Sequence, residues 1–209
     1  MKISVITCTY NRSESIIKTI NSVINQGYNN YEHFIIDDGS DDNTFELIKN
    51  YKSNKLKYIR LDNNGGQPTA LFDSKIFNLI SGDFIILLDS DDYIFRDFFN
   101  LIIKDFKKYK KNDIQRIGYS WTDNLSVNKI FFEKEEKYKL FNSNEIFNDN
   151  YPLNYNNKGF RDYLFVCTKL YWENRKPYFI SPKHWYVSQY DISIKKPFNE
   201  IFTSSIAYY

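Results

Sequence analysis

The chain has almost no cysteine, little glycine and no excess of either charge, and each shortage excludes a class of protein. Cys8 and Cys167 are the only cysteines in 209 residues, too few for a disulfide framework, which points to a reducing compartment. With 28 basic residues against 26 acidic ones the net charge is +2, so no global field draws the chain to nucleic acid or to an acidic membrane. No stretch reaches the roughly 20 apolar residues that span a bilayer. The N-terminal MKISVITCTYNR lacks the long apolar core and small-residue cleavage site of a signal peptide. The expectation is a soluble, cytoplasmic protein, with peripheral contact at the inner face of the membrane left open. Glycines number 7, whereas Tyr and Phe number 18 each. AT-rich coding produces that skew without functional cause; aromatic surfaces that stack on sugar rings or cover a lipid face are the other source.

What is present is a strand-helix alternation within a length that suits one domain, 1–209. The run ISVITC (3–8) predicts a strand, followed by a polar loop and a helix over 16–24 capped by Ser13 and stopped at Gly27. The same plan repeats: a strand over 33–36, a helix over 44–51, a strand over 56–60, a helix over 70–80 and a strand over 83–88. Such spacing predicts a parallel, doubly wound α/β sheet with helices on both faces. Ligands of these sheets lie beyond the C-terminal strand ends. After Asp92 the pattern loosens into a helix over 97–110, short elements over 116–121 and 129–132, an Asn-rich loop over 142–157 and a strand near 163–167. The second half is expected to be smaller and irregular.

Residues 84–92, FIILLDSDD, end a buried strand in three carboxylates. Like charges this close disfavour one another's ionisation unless solvent or a cation offsets them. A hard divalent cation, Mg²⁺ or Mn²⁺, prefers such oxygens completed by water and substrate phosphates. Asp37 and Asp38 in IIDDGSDDNT stand where the second strand meets its loop. They suit either turn chemistry or a hydrogen bond to a uracil N–H or a ribose hydroxyl. The magnesium site of a phosphoacceptor domain also fits an acidic pair at a strand end, but no convincing lysine follows and the chain is too long. A nucleotidyltransferase would need a Gly-rich loop with a following Arg near the N-terminus.

Taken in order, SVITCTYNR, IIDDGSDDNT, NNGGQPTAL and GDFIILLDSDD resemble the donor half of the family 2 glycosyltransferases of the GT-A fold. The resemblance is strong over 1–100 and weak over 101–209. It implies an inverting transfer of a sugar from a nucleotide-sugar, a UDP-sugar by family frequency, to a surface glycan or other saccharide, including a lipid-linked one. Cys8, Thr9 and Tyr10 then line the base, Asp38 pairs with it, Asp37 holds the loop, and Gly66 belongs to the glycine loop. Asp89, Ser90 and Asp91 match the D-x-D motif, with Asp91 the direct metal ligand and Asp89 and Asp92 beside it. Where family members place Arg or Asn after the glycines this chain has Leu71, Phe72 and Asp73, so Lys75 is the candidate stand-in cation.

A sharper departure follows. Many members carry an E-D pair before a Trp, its Asp being the catalytic base; in ISPKHWY the acidic positions hold Lys183 and His184. Imidazole titrates near neutral pH and can do the same work, which makes His184 the first candidate base, with Glu173 and Asp162 as others. The alternative is a catalytically impaired nucleotide-sugar-binding or scaffolding protein of a glycan-assembly complex. Trp121, Trp172 and Trp185 offer faces for an acceptor sugar or else pack in the core, and His33 is expected to be structural. Family members usually continue beyond Tyr208 and Tyr209, so the acceptor side is expected to be truncated, or completed by a partner subunit or a second copy.

Overall fold

Strand β1 (Ile3–Thr9) is nearly continuous in β-branched residues and is buried along almost its whole length, so it needs cover on both faces. It receives that cover as the centre of the sheet. In the computed structural model, which describes residues 1–72, 74–121, 138–142, 163–175 and 199–208, β1 pairs in parallel with β2 (Tyr31–Asp37) and with β4 (Phe84–Leu87). β3 (Leu56–Arg60) adds in parallel to β2. Beyond β4 the sheet continues through β7 (Tyr163–Thr168), β5 (Ile114–Trp121), β8 (Asn199–Tyr208) and β6 (Tyr138–Asn142), in the order β3-β2-β1-β4-β7-β5-β8-β6. Among the described strands only β7 and β6 run against the rest. The described strands of both halves thus share one mostly parallel sheet.

Side-chain alternation sorts the core into two layers. One face of the sheet, with Ile3, Val5, Ile35, Ile86 and Val166, packs against α1 (Ile16–Ile24), α2 (Thr44–Lys49) and α5 (Phe98–Lys108). The other, with Ile6, Phe34, Ile36 and Ile85, packs against α3 (Gln67–Phe72), α4 (Ser74–Phe77) and α6 (Lys169–Arg175). α1 buries Ile16, Thr19, Ile20 and Val23, the spacing of one helical face. Fully buried side chains such as Phe34 and Phe99 contribute about 1.5–3 kcal/mol each. Among the described residues no helix is long and apolar enough to cross a membrane.

Several expected boundaries move for local reasons. The cap of α1 is Ser15, not Ser13, because the Arg12 carbonyl accepts the Ser15 and Ile16 N–H groups and makes 12–15 a turn. The helix ends at Ile24 with Asn25 as its C-cap, before Gly27, while Gln26 turns inward to donate to Phe95 O and accept from Phe99 N–H. The helix expected over 70–80 starts at Gln67, immediately after Gly66 at φ +83°, with Pro68 in its first turn, where its missing N–H costs nothing. Trp172 is a core residue, 1% exposed and stacked on Phe77 at 5.5 Å. The side chain of Trp121, all of Trp185, the element expected over 129–132 and most of the Asn-rich loop lie outside the described residues.

At the N-terminal edge of the sheet a buried acid shows what structural satisfaction looks like. Glu32 accepts from Lys2, Lys57, Ser4 and Ser81. Burial works to raise its pKa, but those bonds more than offset it and hold the carboxyl at about 2. His33 is likewise structural: burial pushes it down to about 3, and Nε2 meets Thr7 Oγ1 at 3.0 Å.

Candidate functional site

At the opposite edge, beyond the C-terminal ends of β1, β2 and β4, three loops are stitched together. Asn11 adopts positive φ (51°), which Asn tolerates better than most residues. Its N–H donates to Ser40 Oγ at 3.0 Å, and its Oδ1 accepts from the Asp41 N–H at 3.0 Å. The Arg12 N–H donates to Thr44 Oγ1 and the Ser13 N–H to Asp42 Oδ2, each at 3.1 Å. The loop after β1 is thereby tied to the loop after β2. Helix α1 holds the third loop: Ser15 Oγ and Thr19 Oγ1 donate to Ser90 O, and Thr19 Oγ1 also to Asp92 O at 2.7 Å.

The acidic pair divides its work. Asp37 is fully buried; one oxygen accepts the Ser40 N–H at 2.8 Å and the other the Tyr58 hydroxyl at 2.5 Å. It fixes the turn. Asp38, 3% exposed, accepts the Gly65 N–H at 3.0 Å on one oxygen and the Gly66 N–H at 2.7 Å on the other. It clamps the glycine loop over the turn at Gly39. There φ is +78° and an added Cβ would lie 3.1 Å from the Asn63 carbonyl carbon, so only glycine fits. A ligand contact to Asp38 must use its remaining lone pairs or displace that loop. Beside it, Thr9 Oγ1 is buried with no partner among the described residues.

Asp38→Ala is expected to lower stability by about 2–4 kcal/mol, since two charge-assisted bonds are lost and two amides are left unpaired. Urea unfolding measures it, and a change within error would show that the clamp carries no weight.

The carboxylates after β4 are less satisfied than Glu32. Among the described residues Asp89 accepts only from Gln67 Nε2, at 3.1 Å; burial, with Asp91 nearby, raises its pKa against that bond. Burial, Asp89 and Asp91 push Asp92 up to about 7. Asp91 is half exposed and faces Arg12, whose Nη2 lies 3.7 Å from its Oδ2. The Cys8 thiol is pushed up by burial and by Asp38 and Asp89. What remains is a set of hard oxygen donors, which suits Mg²⁺ or Mn²⁺. Among the described residues no three His, Cys, Asp or Glu are placed to hold a metal ion together, so a cation here would be held by one or two carboxylates and completed by solvent or substrate oxygens.

The edge therefore gathers Cys8, Thr9, Tyr10, Asp37, Asp38, Gly66, Asp89, Ser90, Asp91 and Asp92. Lys75 is exposed on α4. Glu173 is also exposed, 3.8 Å from Lys169 on α6, a helix whose first N–H is tied to Asp83 O at the far end of β4; no described contact brings it to Asp91. His184 and Asp162 lie outside the described residues. Arg12 and Gln67 belong to the cluster although sequence reasoning gave them no role. A cation in TYNR facing three carboxylates across one sheet edge was the available signal for Arg12.

The sequence profile of the family described as Glycosyl transferase family 2 matches residues 4–192. The poly-beta-1,6-N-acetyl-D-glucosamine synthase of Staphylococcus epidermidis is 37% identical over 110 residues, 52% of this chain and 26% of that protein. The poly(ribitol-phosphate) beta-N-acetylglucosaminyltransferase TarS of Staphylococcus aureus is 34% identical over 97 residues, 45% of this chain and 17% of TarS. The crystal structure of TarS 1–349 in complex with UDP superposes with a TM-score of 0.70 at 18% identity, covering 100% of this chain and 60% of that one. The last likeness is one of fold, the GT-A architecture expected from the sequence. The chain spans about a quarter or less of the two relatives' lengths.

Proposed function

The chain belongs to glycosyl transferase family 2, and from that membership we propose that it transfers a sugar, with inversion, from a UDP-sugar to a saccharide acceptor of a surface glycan, with Mn²⁺ or Mg²⁺. The observation that carries the reading is the stitched edge itself. It sets the Thr9 hydroxyl, which has no partner among the described residues, and Asp38 at one end and Asp89, Asp91 and Asp92 at the other. The base of the nucleotide would lie between Cys8, Thr9, Tyr10 and Asp38. Asp91 would hold the cation, with Asp89 and Asp92 beside it and Gln67 orienting Asp89. When bound, that cation supplies charge neutralisation at the departing diphosphate. UDP is favoured among nucleotides by the UDP complex of TarS, and an N-acetylhexosamine among sugars by the names of both relatives.

On the acceptor side His184 is proposed as the base. It takes the acceptor hydroxyl proton as that oxygen attacks the anomeric carbon, and the diphosphate leaves from the opposite face with the bonding electrons. Product formation from UDP-N-acetylglucosamine and other UDP-sugars, across a panel of glycan acceptors, tests the reading. Tight UDP binding without turnover on any of them would favour the impaired-binder alternative.

Asp92 gives a pH test of the metal assignment. Its folded pKa of about 7 lies above the ordinary 3.8, so between those values the native state binds more protons than the unfolded chain. Stability from this group is present at low pH and is lost as pH rises towards about 7. A cation held by Asp91 would offset the repulsion once Asp92 is ionised. The melting-temperature gain from Mn²⁺ is therefore expected to be larger near pH 8 than near pH 5 (roughly one unit above and two below the group's midpoint). Equal gains at both would contradict a cation beside Asp92.

A further inference from the structure

Arg12 is the basic side chain that, among the described residues, pairs with the loop after β4, and it does so at the carboxylate assigned to the cation. Its backbone is fixed: the N–H is held by Thr44 Oγ1 at 3.1 Å and the carbonyl by the Ser15 and Ile16 N–H groups at 3.1 and 3.0 Å. Its side chain is not confined in the same way, since it and Asp91 are each about half exposed. A pair so open to solvent and 3.7 Å apart is weak and yields to competitors. A guanidinium, however, presents a fork that matches phosphate oxygens better than any other side chain.

We propose that Arg12 is an exchange cation of the donor site: it neutralises Asp91 when no donor is bound and moves to the diphosphate when one is, leaving Asp91 to the divalent cation. The proposal rests on the donor-site reading above. It makes Arg12 a positioning residue with two opposed effects. Toward the metal alone it is a competitor, because its charge occupies and repels at Asp91. Toward the nucleotide it is a partner. Donor and metal affinities are thereby coupled, and by linkage each raises the other through the same displacement.

The test uses two probes that need no turnover. Mn²⁺ alone is titrated and followed by electron paramagnetic resonance, and UDP is titrated in EDTA by calorimetry. Arg12→Gln is expected to bind Mn²⁺ about threefold to tenfold more tightly than wild type, as expected for removing one nearby positive charge in a solvated site. The same variant is expected to bind UDP in EDTA about tenfold more weakly, as for one lost charge-assisted contact. Arg12→Lys keeps the charge and loses the fork, so Mn²⁺ binding should stay at the wild-type value while UDP binding weakens. Lys52→Gln, an exposed site at the far edge of the sheet, should change neither.

Mn²⁺ binding that is unchanged or weaker in Arg12→Gln overturns the exchange, as does an equal gain in Lys52→Gln. If wild-type Mn²⁺ binding survives Asp91→Asn undiminished, the donor-site reading has failed and Arg12's role goes with it. If that binding depends on Asp91 but ignores Arg12, only the present proposal is lost. Thermal melts accompany each titration, so a misfolded variant is recognised, and Arg12→Lys then decides through its UDP affinity.

Discussion

Asp91→Ala should reduce sugar transfer to background while leaving the fold intact. The loss is expected to reach roughly three orders of magnitude or more, since charge neutralisation by a metal contributes several kcal/mol at the transition state and each ~1.4 kcal/mol is tenfold. The fold should not suffer because Asp91 contributes almost nothing to it: its side chain is half exposed, and its ion pair with Arg12 is of the kind worth about 0–1 kcal/mol. Removing it also takes one like charge away from Asp92, whose pKa it helps to raise. The variant should therefore melt at or slightly above the wild-type temperature in EDTA. A variant that melts normally and transfers sugar with undiminished Mn²⁺ dependence would remove Asp91 from the metal site.

His184→Ala should separate binding from catalysis. UDP affinity should stay at the wild-type value, because the proposed nucleotide contacts lie in the loops after β1, β2 and β4. Transfer should fall by about a hundredfold or more, the usual loss for a general base. An imidazole base also predicts that the rate falls as pH drops through about 6.5, whereas a carboxylate base would hold to lower pH. Metal loading must be kept saturating across the series, since burial and the neighbouring Asp89 and Asp91 push Asp92 up to about 7. Unchanged transfer in His184→Ala would move the base to Asp162, since the structure gives Glu173 a lysine partner and no described contact to the carboxylate loop.

The donor half was legible because its signals are local. The β-branched run of β1, the period of α1 and the apolar stretch of β4 each give their element without outside help. The alternation of strands and helices then puts Asp38 and Asp91 on one edge. What escaped were features set by contacts distant in sequence. Gln67 acquires its role only when the glycine loop meets Asp89, 22 residues away. Asp38 was expected to serve a ligand and is also a clamp for Gly65 and Gly66, a bond pattern that no spacing rule predicts. β6 was not read from the sequence, because a five-residue strand at the edge of the sheet finds its place only by pairing with β8. Trp172 illustrates the same limit: composition left it between sugar platform and core, and stacking on Phe77 decides for the core.

The most direct test of the whole account is a calorimetric titration of UDP into the wild-type protein with Mn²⁺ present and with Mn²⁺ chelated. Binding that weakens by about tenfold or more on chelation is the expected result, because the diphosphate then loses the cation that Asp91 would hold. No binding of UDP, GDP or dTDP with Mn²⁺ present would contradict a nucleotide-sugar site at this edge of the sheet.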